Sequence, residues 1–253
     1  MPRPLAEQVV VVTGASSGIG RETSVQLGRA GASVVLAARS EGALREVARE
    51  VEAAGGSTHV VPTDVSNPAQ VERLGAETVA RFGRVDTWVN DASVAEYANA
   101  WETTPEEMAR IVEVNLLGVM YGSRQAVQLM AAQGEGVVIN VGSVVSKRSA
   151  PMLSAYSAAK AGVKGFTEAL QVELERDRPG ISAVLIMPSG INTPFFQHAR
   201  SKMGTLPQPL PPVYEPSAVA EAILAAAEHP IGQVVAGGGG KFFTMVERVS
   251  PAL

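Results

Sequence analysis

Four consecutive valines, Val9–Val12, run through Thr13 straight into Gly14-Ala15-Ser16-Ser17-Gly18-Ile19-Gly20. A strand with one wet face alternates apolar and polar residues. Four β-branched residues in a row instead require apolar cover on both faces, the condition of a parallel sheet sandwiched between helices. The glycines that follow at once mark a tight turn into a helix.

The same grammar recurs along the chain. Short apolar runs at Ser33–Ala38, Thr58–Pro62, Val85–Asn90, Val137–Val141, Ser182–Met187 and Gln233–Ala236 read as strands. Between them lie helical periodicities at Gly18–Ala30, through Leu44, Val47, Val51 and Ala54, through Val71, Leu74 and Val79, and at Pro105–Ala131, Ser154–Arg176 and Ser217–Glu228. Pro105 suits a first helical turn. Strands alternating with helices imply right-handed crossovers and an α/β fold, a Rossmann-like doubly wound parallel sheet with helices on both faces. No linker or repeat interrupts the pattern before residue 190, so residues 1–253 read as a single domain. The exception to the rhythm is 193–216, rich in proline, which reads as a substrate lid; a proline-motif docking peptide is the competing reading. Phe242–Val249 begins a further amphipathic stretch, with the expectation that the natural protein continues past Leu253.

Composition narrows the partners. With 46% hydrophobic and 18% charged residues among 253, the chain can fill a sizeable core. A net charge of −4 with interspersed signs offers no basic face to nucleic acid and no polybasic run to a membrane. No apolar stretch approaches the ~20 residues of a span. The absence of cysteine excludes disulfides and thiol catalysis and fits a cytoplasmic protein. Isolated His59, His198 and His229 make no transition-metal site, so no metal is expected.

Glycines at a strand-to-helix turn let backbone approach a pyrophosphate, which sits at the positive helix N-terminus. The spacing here is Gly-x-x-x-Gly-x-Gly. A dinucleotide site usually carries an acid about 20 residues on, bonded to the ribose 2′-hydroxyl of NAD. The second strand instead ends Ala37-Ala38-Arg39-Ser40. Arg39 can grip a 2′-phosphate, so NADP(H) is expected as cofactor ahead of NAD.

Further on stand Ser143 and the segment Tyr156-Ser-Ala-Ala-Lys160. Tyrosine and lysine at i and i+4 share a helix face, ~6 Å apart between Cβ atoms. A neighbouring ammonium favours the phenolate and should lower the tyrosine's pKa, fitting it for acid–base work near neutral pH. A serine hydroxyl beside it can hold a substrate oxygen where charge develops.

Together with the glycine turn, these residues make the chain resemble the compact, single-domain branch of the short-chain dehydrogenase/reductase family, from about Val9 to Gly240. The resemblance implies hydride transfer between a nicotinamide and a small carbonyl or alcohol substrate. It implies Tyr156 as acid/base and also as a cofactor contact, Lys160 tuning it and binding the nicotinamide ribose, Ser143 polarising the carbonyl, and Asn115 supporting a proton relay. Gly14, Ser16, Ser17, Gly18, Ile19 and Gly20 would hold the pyrophosphate. Arg39, Asp64 and Val65 would hold the adenosine end, and Asn90, Ala92, Pro188, Ile191 and Thr193 would lie along the nicotinamide half. A homodimer or homotetramer pairing the helices at Pro105–Ala131 and Ser154–Arg176 is also implied. Two segments depart from the family pattern. Asn90-Asp91-Ala92-Ser93 replaces Asn-Asn-Ala-Gly, and Pro188-Ser189-Gly190 replaces Pro-Gly. Val145, Met152, Phe195, Phe196, Met203 and Tyr214 are expected to wall an apolar substrate pocket.

Two rival readings compete with this one. Gly14-Ala15-Ser16-Ser17-Gly18 matches the Gly-x-Ser-x-Gly elbow of α/β-hydrolases, with Ser16 as nucleophile. Only 13 residues precede it, too few for the earlier loop that such an oxyanion hole needs. A redox sensor that binds NADP(H) without turnover is the other, but it has no need of Ser143, Tyr156 and Lys160 together.

Overall fold

In the computed structural model, which describes residues 2–209 and 211–237, the valine run is an interior strand of a seven-stranded parallel sheet. In chain order the elements are β1 (Val9–Thr13), α1 (Gly18–Arg29), β2 (Ser33–Ala38), α2 (Glu41–Ala53), β3 (Ser57–Pro62), α3 (Pro68–Phe82) and β4 (Thr87–Asn90). A short β5 (Glu96–Tyr97) precedes α4 (Pro105–Val112), a π-helical turn (Glu113–Leu117) and α5 (Gly118–Gln133). Then come β6 (Gly136–Val141), α6 (Ser154–Asp177), β7 (Ile181–Pro188), β8 (Gly190–Ile191), α7 (Phe195–His198), β9 (Arg200–Ser201), β10 (Val213–Tyr214), α8 (Pro216–Glu228) and β11 (Gln233–Ala236). The main sheet runs β11-β7-β6-β4-β1-β2-β3, with every pairing parallel. The stretch Phe242–Val249 lies outside the described residues.

All five β1 residues are buried, and their side chains divide between two cores. Val10 and Val12 join Leu27, Val47, Val51, Val219 and Ile223, under α1, α2 and α8. Val9 and Val11 join Val71, Leu74, Met130 and Leu174, under α3, α5 and α6. Period-two side-chain alternation thus feeds both layers from one strand. Strand order reverses between β1 and β4, and in such sheets ligands bind outside the carboxyl ends at that reversal.

Helix starts follow their local chemistry. The Asn67 side chain accepts from Ala69 and Gln70 N–H groups ahead of Pro68. Thr104 and Glu107 form a reciprocal capping box around Pro105.

Two expected boundaries are corrected. The strand expected from Val85 begins at Thr87, because the Gln133 amide binds both main-chain groups of Val85, at 2.9 and 2.8 Å. The single helix expected over Pro105–Ala131 is interrupted at Glu113–Leu117 and runs on to Gln133. There Asn115 Nδ2 donates to Val94 O at 2.7 Å, and Val94 N donates to Asn115 Oδ1 at 2.8 Å. A π turn takes up an extra residue and re-aims the side chain, which is how Asn115 meets the segment after β4.

Segment 193–216 is not a free loop. Arg200–Ser201 pairs with Glu96–Tyr97, and Val213–Tyr214 pairs with Gly190–Ile191. Lys202 Nζ lies 2.6 Å from Glu107 Oε2 and 3.3 Å from the buried Glu96, fastening the segment to the start of α4.

Candidate active site

A cavity of ≈1270 Å³ lies along the carboxyl edge of the sheet, lined by the residues that leave β1, β2, β3, β4, β6 and β7. Its first wall is the glycine turn. Gly14 adopts φ 74° and Gly18 φ 56°, and a Cβ on Gly14 would lie 2.8 Å from Ala92 N. The turn can therefore pack against the segment after β4 only as glycine. Thr13 Oγ1 ties the two loops, accepting from Asp91 N at 3.1 Å and donating to Val89 O at 3.2 Å. Ser16, Ser17 and Ile19 line the cavity; Gly20 does not, and serves the close packing of α1 on Gly14.

At the end of β2, Arg39 is exposed and lines the cavity. Its guanidinium has no protein partner among the described residues. Its neighbours are committed: Arg21 to Glu50 at 2.6 Å and Arg45 to Glu41 at 2.5 Å. Asp64 and Val65 form the next wall. Asp64 Oδ1 accepts from both Ser66 N and Ser66 Oγ, and Oδ2 pairs with Arg110 at 3.0 Å. Burial pushes the Asp64 carboxyl upward, but the Ser66 bonds and Arg110 outweigh it and hold it below the usual carboxylate range.

Ser143, Tyr156 and Lys160 converge at the other end. Ser143 leaves β6 and opens a short 3₁₀ turn, and Tyr156 and Lys160 occupy the first two turns of α6. The hydroxyls of Ser143 and Ser93 hydrogen-bond to the Tyr156 phenol. Lys160 Nζ donates to Val141 O at 2.8 Å and lies 5.7 Å from the Tyr156 ring centroid. Pro188, Ile191 and Thr193 complete this end.

The expected lowering of Tyr156 by Lys160 is corrected. Burial pushes the phenol well above its ordinary value, aided by Tyr97 and Asp91, with only Ser143 and Ser93 pulling down. The field of the ammonium is answered by Asp91, an acid where the family pattern has an amide. Burial pushes the Asp91 carboxyl up to about 7 against the opposing pull of Lys160 and the Gly20 N–H. Burial likewise lowers Lys160, and Asp91 resists.

Besides Gly20, two further expected site residues lie off the cavity. Asn90 is 2% exposed and does not line the cavity. Its amide is spent in a buried network with Asn140 at 2.8 Å, Ser123 at 3.2 Å and Trp88 Nε1 at 3.0 Å, because a polar group in the core must find internal partners. Asn115 is also fully buried behind the wall, with its side chain given to Val94. Ala92 lines the cavity as expected.

The remaining wall is apolar and comes from the two segments flanking α6. Val145, Met152, Phe195, Phe196 and Met203 line it, whereas Tyr214 packs against the core. Met152 holds φ 62°, a costly conformation for a side-chain-bearing residue, and its carbonyl accepts from Ala98 N at 3.0 Å. Tyr97 was missed by sequence reasoning; nothing in its local pattern marks it. It lines the cavity, with its ring 6.5 Å from Phe196, and Phe195 lies 5.7 Å from Tyr156.

A doubly wound parallel sheet with a glycine-turn cavity at its switch point is the frame of a nucleotide-dependent enzyme. Residues 8–204 match the family model described as short chain dehydrogenase, and the chain belongs to the short-chain dehydrogenase/reductase family of oxidoreductases. It is 40% identical over 253 residues to "Uncharacterized oxidoreductase YxnA" of Bacillus subtilis (strain 168), covering 99% of this chain and 71% of that protein. A short chain dehydrogenase/reductase from Burkholderia phymatum, solved in complex with NAD, superposes with a TM-score of 0.87 at 26% identity, covering 96% of this chain and 94% of the other. A metagenomic short-chain oxidoreductase in complex with NADP superposes at 0.78 with 29% identity, covering 92% and 97%. A nicotinamide dinucleotide is therefore the class of cofactor. Among the described residues no helix is long and apolar enough to cross a membrane.

Proposed function

We propose that this chain moves a hydride between NADP(H) and a carbonyl or alcohol group on a small, apolar substrate, with Tyr156 as acid/base. The observation that carries this reading is that one cavity joins an open glycine turn and Arg39, without a partner among the described residues, to the Ser143–Tyr156–Lys160 cluster.

The residues present fit the cofactor. Gly14 and Gly18 leave backbone bare for a pyrophosphate at the α1 N-terminus, and Arg39 is free for a 2′-phosphate. When bound, the dinucleotide supplies or accepts the hydride. Tyr156 then hands its phenol proton to the carbonyl oxygen as that oxygen gains charge, and Ser143 donates a hydrogen bond to the same oxygen. Because burial keeps the phenol protonated at neutral pH, Tyr156 stands ready as a donor, the form that carbonyl reduction needs. Asn115 acts as a positioning residue, holding the main chain at Val94 and so Ser93 beside the phenol. Segment 193–216 acts as the lid, placing Phe195, Phe196 and Met203 over the apolar end and excluding water. Screening NADPH oxidation, followed by loss of its absorbance, over ketones, aldehydes, quinones and 3-oxoacyl thioesters tests the reading. Turnover of at least one carbonyl class is expected, and binding of NADPH with no turnover over the panel would replace it with a sensor.

The protein is further proposed to work as a homodimer or homotetramer in the cytoplasm. The α6 helix presents Ala158, Ala161 and Gly165 among its small residues, and a Cβ on Gly165 would meet nothing within 4 Å, leaving room for close helix approach. Light scattering at micromolar concentration should give at least twice the 26.3 kDa chain mass. A monomer mass would remove the assembly and leave the site untouched.

A further inference from the structure

Asp91 is a half-buried acid on the wall of the cavity, in a place built for anions. It lines the same cavity as the glycine turn, and its carboxylate accepts from the N–H of Gly20 in the first turn of α1. The fit is close: a Cβ on Gly20 would lie 3.0 Å from Asp91 Oδ2. Ser17, the residue at the start of α1, makes no side-chain capping bond, so the cap comes from across the cavity. The first-turn N–H groups next to Gly20 are those to which a dinucleotide's pyrophosphate would bind, if the proposed cofactor is right.

Two negative groups then compete for one helix terminus. The charged groups facing Asp91 are few. Among the described residues, Lys160 on α6 gives the one opposing charge that acts on it appreciably, with the neutral Tyr156 phenol beyond it. From β1, Thr13 offers a hydroxyl to the Asp91 N–H. On α1 the adjacent Arg21 turns away to Glu50 at the surface. On the helix side of the loop, Ser93 faces the neutral Asn115 amide.

We infer that Asp91 couples cofactor binding to proton uptake, because its carboxylate must be protonated for the pyrophosphate to share the α1 N-terminus with it. This rests on the dinucleotide reading above. The sign follows from linkage: a group that is partly ionised in the free protein and protonated in the complex makes binding tighter at low pH and weaker as pH rises. With the free carboxyl near neutrality, the window lies just above pH 7.

The test is the Kd of NADPH by fluorescence titration between pH 6.5 and 8, for wild type and Asp91→Asn, with melting temperature as the check on folding. The amide of Asp91→Asn can still accept from Gly20. Wild-type Kd is expected to rise roughly tenfold across the range, while that of Asp91→Asn changes by about twofold or less. The two proteins should agree at pH 6.5, with the variant binding more tightly at pH 8. NADH, which has no 2′-phosphate to titrate, must show the same slope. Calorimetry of wild type at pH 7.5, in two buffers of different ionisation enthalpy, should show uptake of about half a proton or more, and needs no variant. The same pH course in both proteins, or no proton uptake, overturns the inference and leaves the cofactor reading standing. Failure of both dinucleotides to bind at any pH overturns both readings.

Discussion

Tyr156→Phe should lower kcat by ~10²–10⁴-fold, the usual worth of a positioned acid or base, while leaving the Kd for NADPH within about twofold. Phenylalanine keeps the ring, so the packing against Phe195 at 5.7 Å and the ammonium of Lys160 at 5.7 Å survive. The serines left behind are not orphaned. Ser143 Oγ still accepts from Val145 N at 3.3 Å, and Ser93 Oγ still meets Asn115 Oδ1 at 3.3 Å. Arg39 and the glycine turn, which would hold the phosphates, belong to the loops after β1 and β2 and make no bond to the phenol. The loss should therefore appear in kcat and kcat/KM together, the mark of an interaction made in the transition state. Steady-state kinetics on any substrate found by the NADPH screen decides it. A variant retaining more than about a tenth of wild-type kcat sinks the acid/base role.

How much of this was legible in the chain differs by element, for physical reasons. The sheet was readable because the β1 valines can only sit between two layers, and the start of α4 because Pro105 marks a first helical turn locally. The π turn at Glu113–Leu117 was not readable. It depends on bonds between Asn115 and Val94, residues 21 positions apart that the fold alone brings together. The pairs β5–β9 and β8–β10 are two residues long, too short to carry a periodicity. In the site, the types and spacing of Ser143, Tyr156 and Lys160 pointed to one chemistry, and the structure brings them together. Asn90 misled because the pattern that names a residue does not say which way its side chain points. Asp91 was visible as a departure, but its position between Gly20 and Lys160 was not. Burial, with smaller contributions from Tyr97 and then Asp91, is what holds the Tyr156 phenol above its ordinary value.

Arg39 carries the second large effect, and its environment sharpens the expectation. A 2′-phosphate at the end of β2 would meet a guanidinium with no competing partner among the described residues, whereas Arg21 and Arg45 are held by Glu50 and Glu41. The end of β2 offers no carboxylate to a free ribose hydroxyl: its residues are Ala38, Arg39 and Ser40, and the next acid, Glu41, is held by Arg45. Charge-assisted hydrogen bonds are worth ~1.5–3 kcal/mol, so NADPH should bind roughly ten- to a hundredfold more tightly than NADH. The lower end is the better expectation. Ser40 is drawn into capping α2 through Ala43 N at 3.4 Å, and Ser16 and Ser17 can add only neutral hydrogen bonds. Ala38→Asp together with Arg39→Ala places a carboxylate at a position that lines the cavity and removes the cation. This double variant should narrow or reverse the preference, since the new acid accepts from the ribose of NADH and repels the phosphate of NADPH. Fluorescence titration of both dinucleotides against both proteins, at one pH and low salt, measures the two ratios. Equal affinities in the wild type would overturn the NADP assignment, and a double variant that keeps the wild-type ratio would move the phosphate contact away from Arg39.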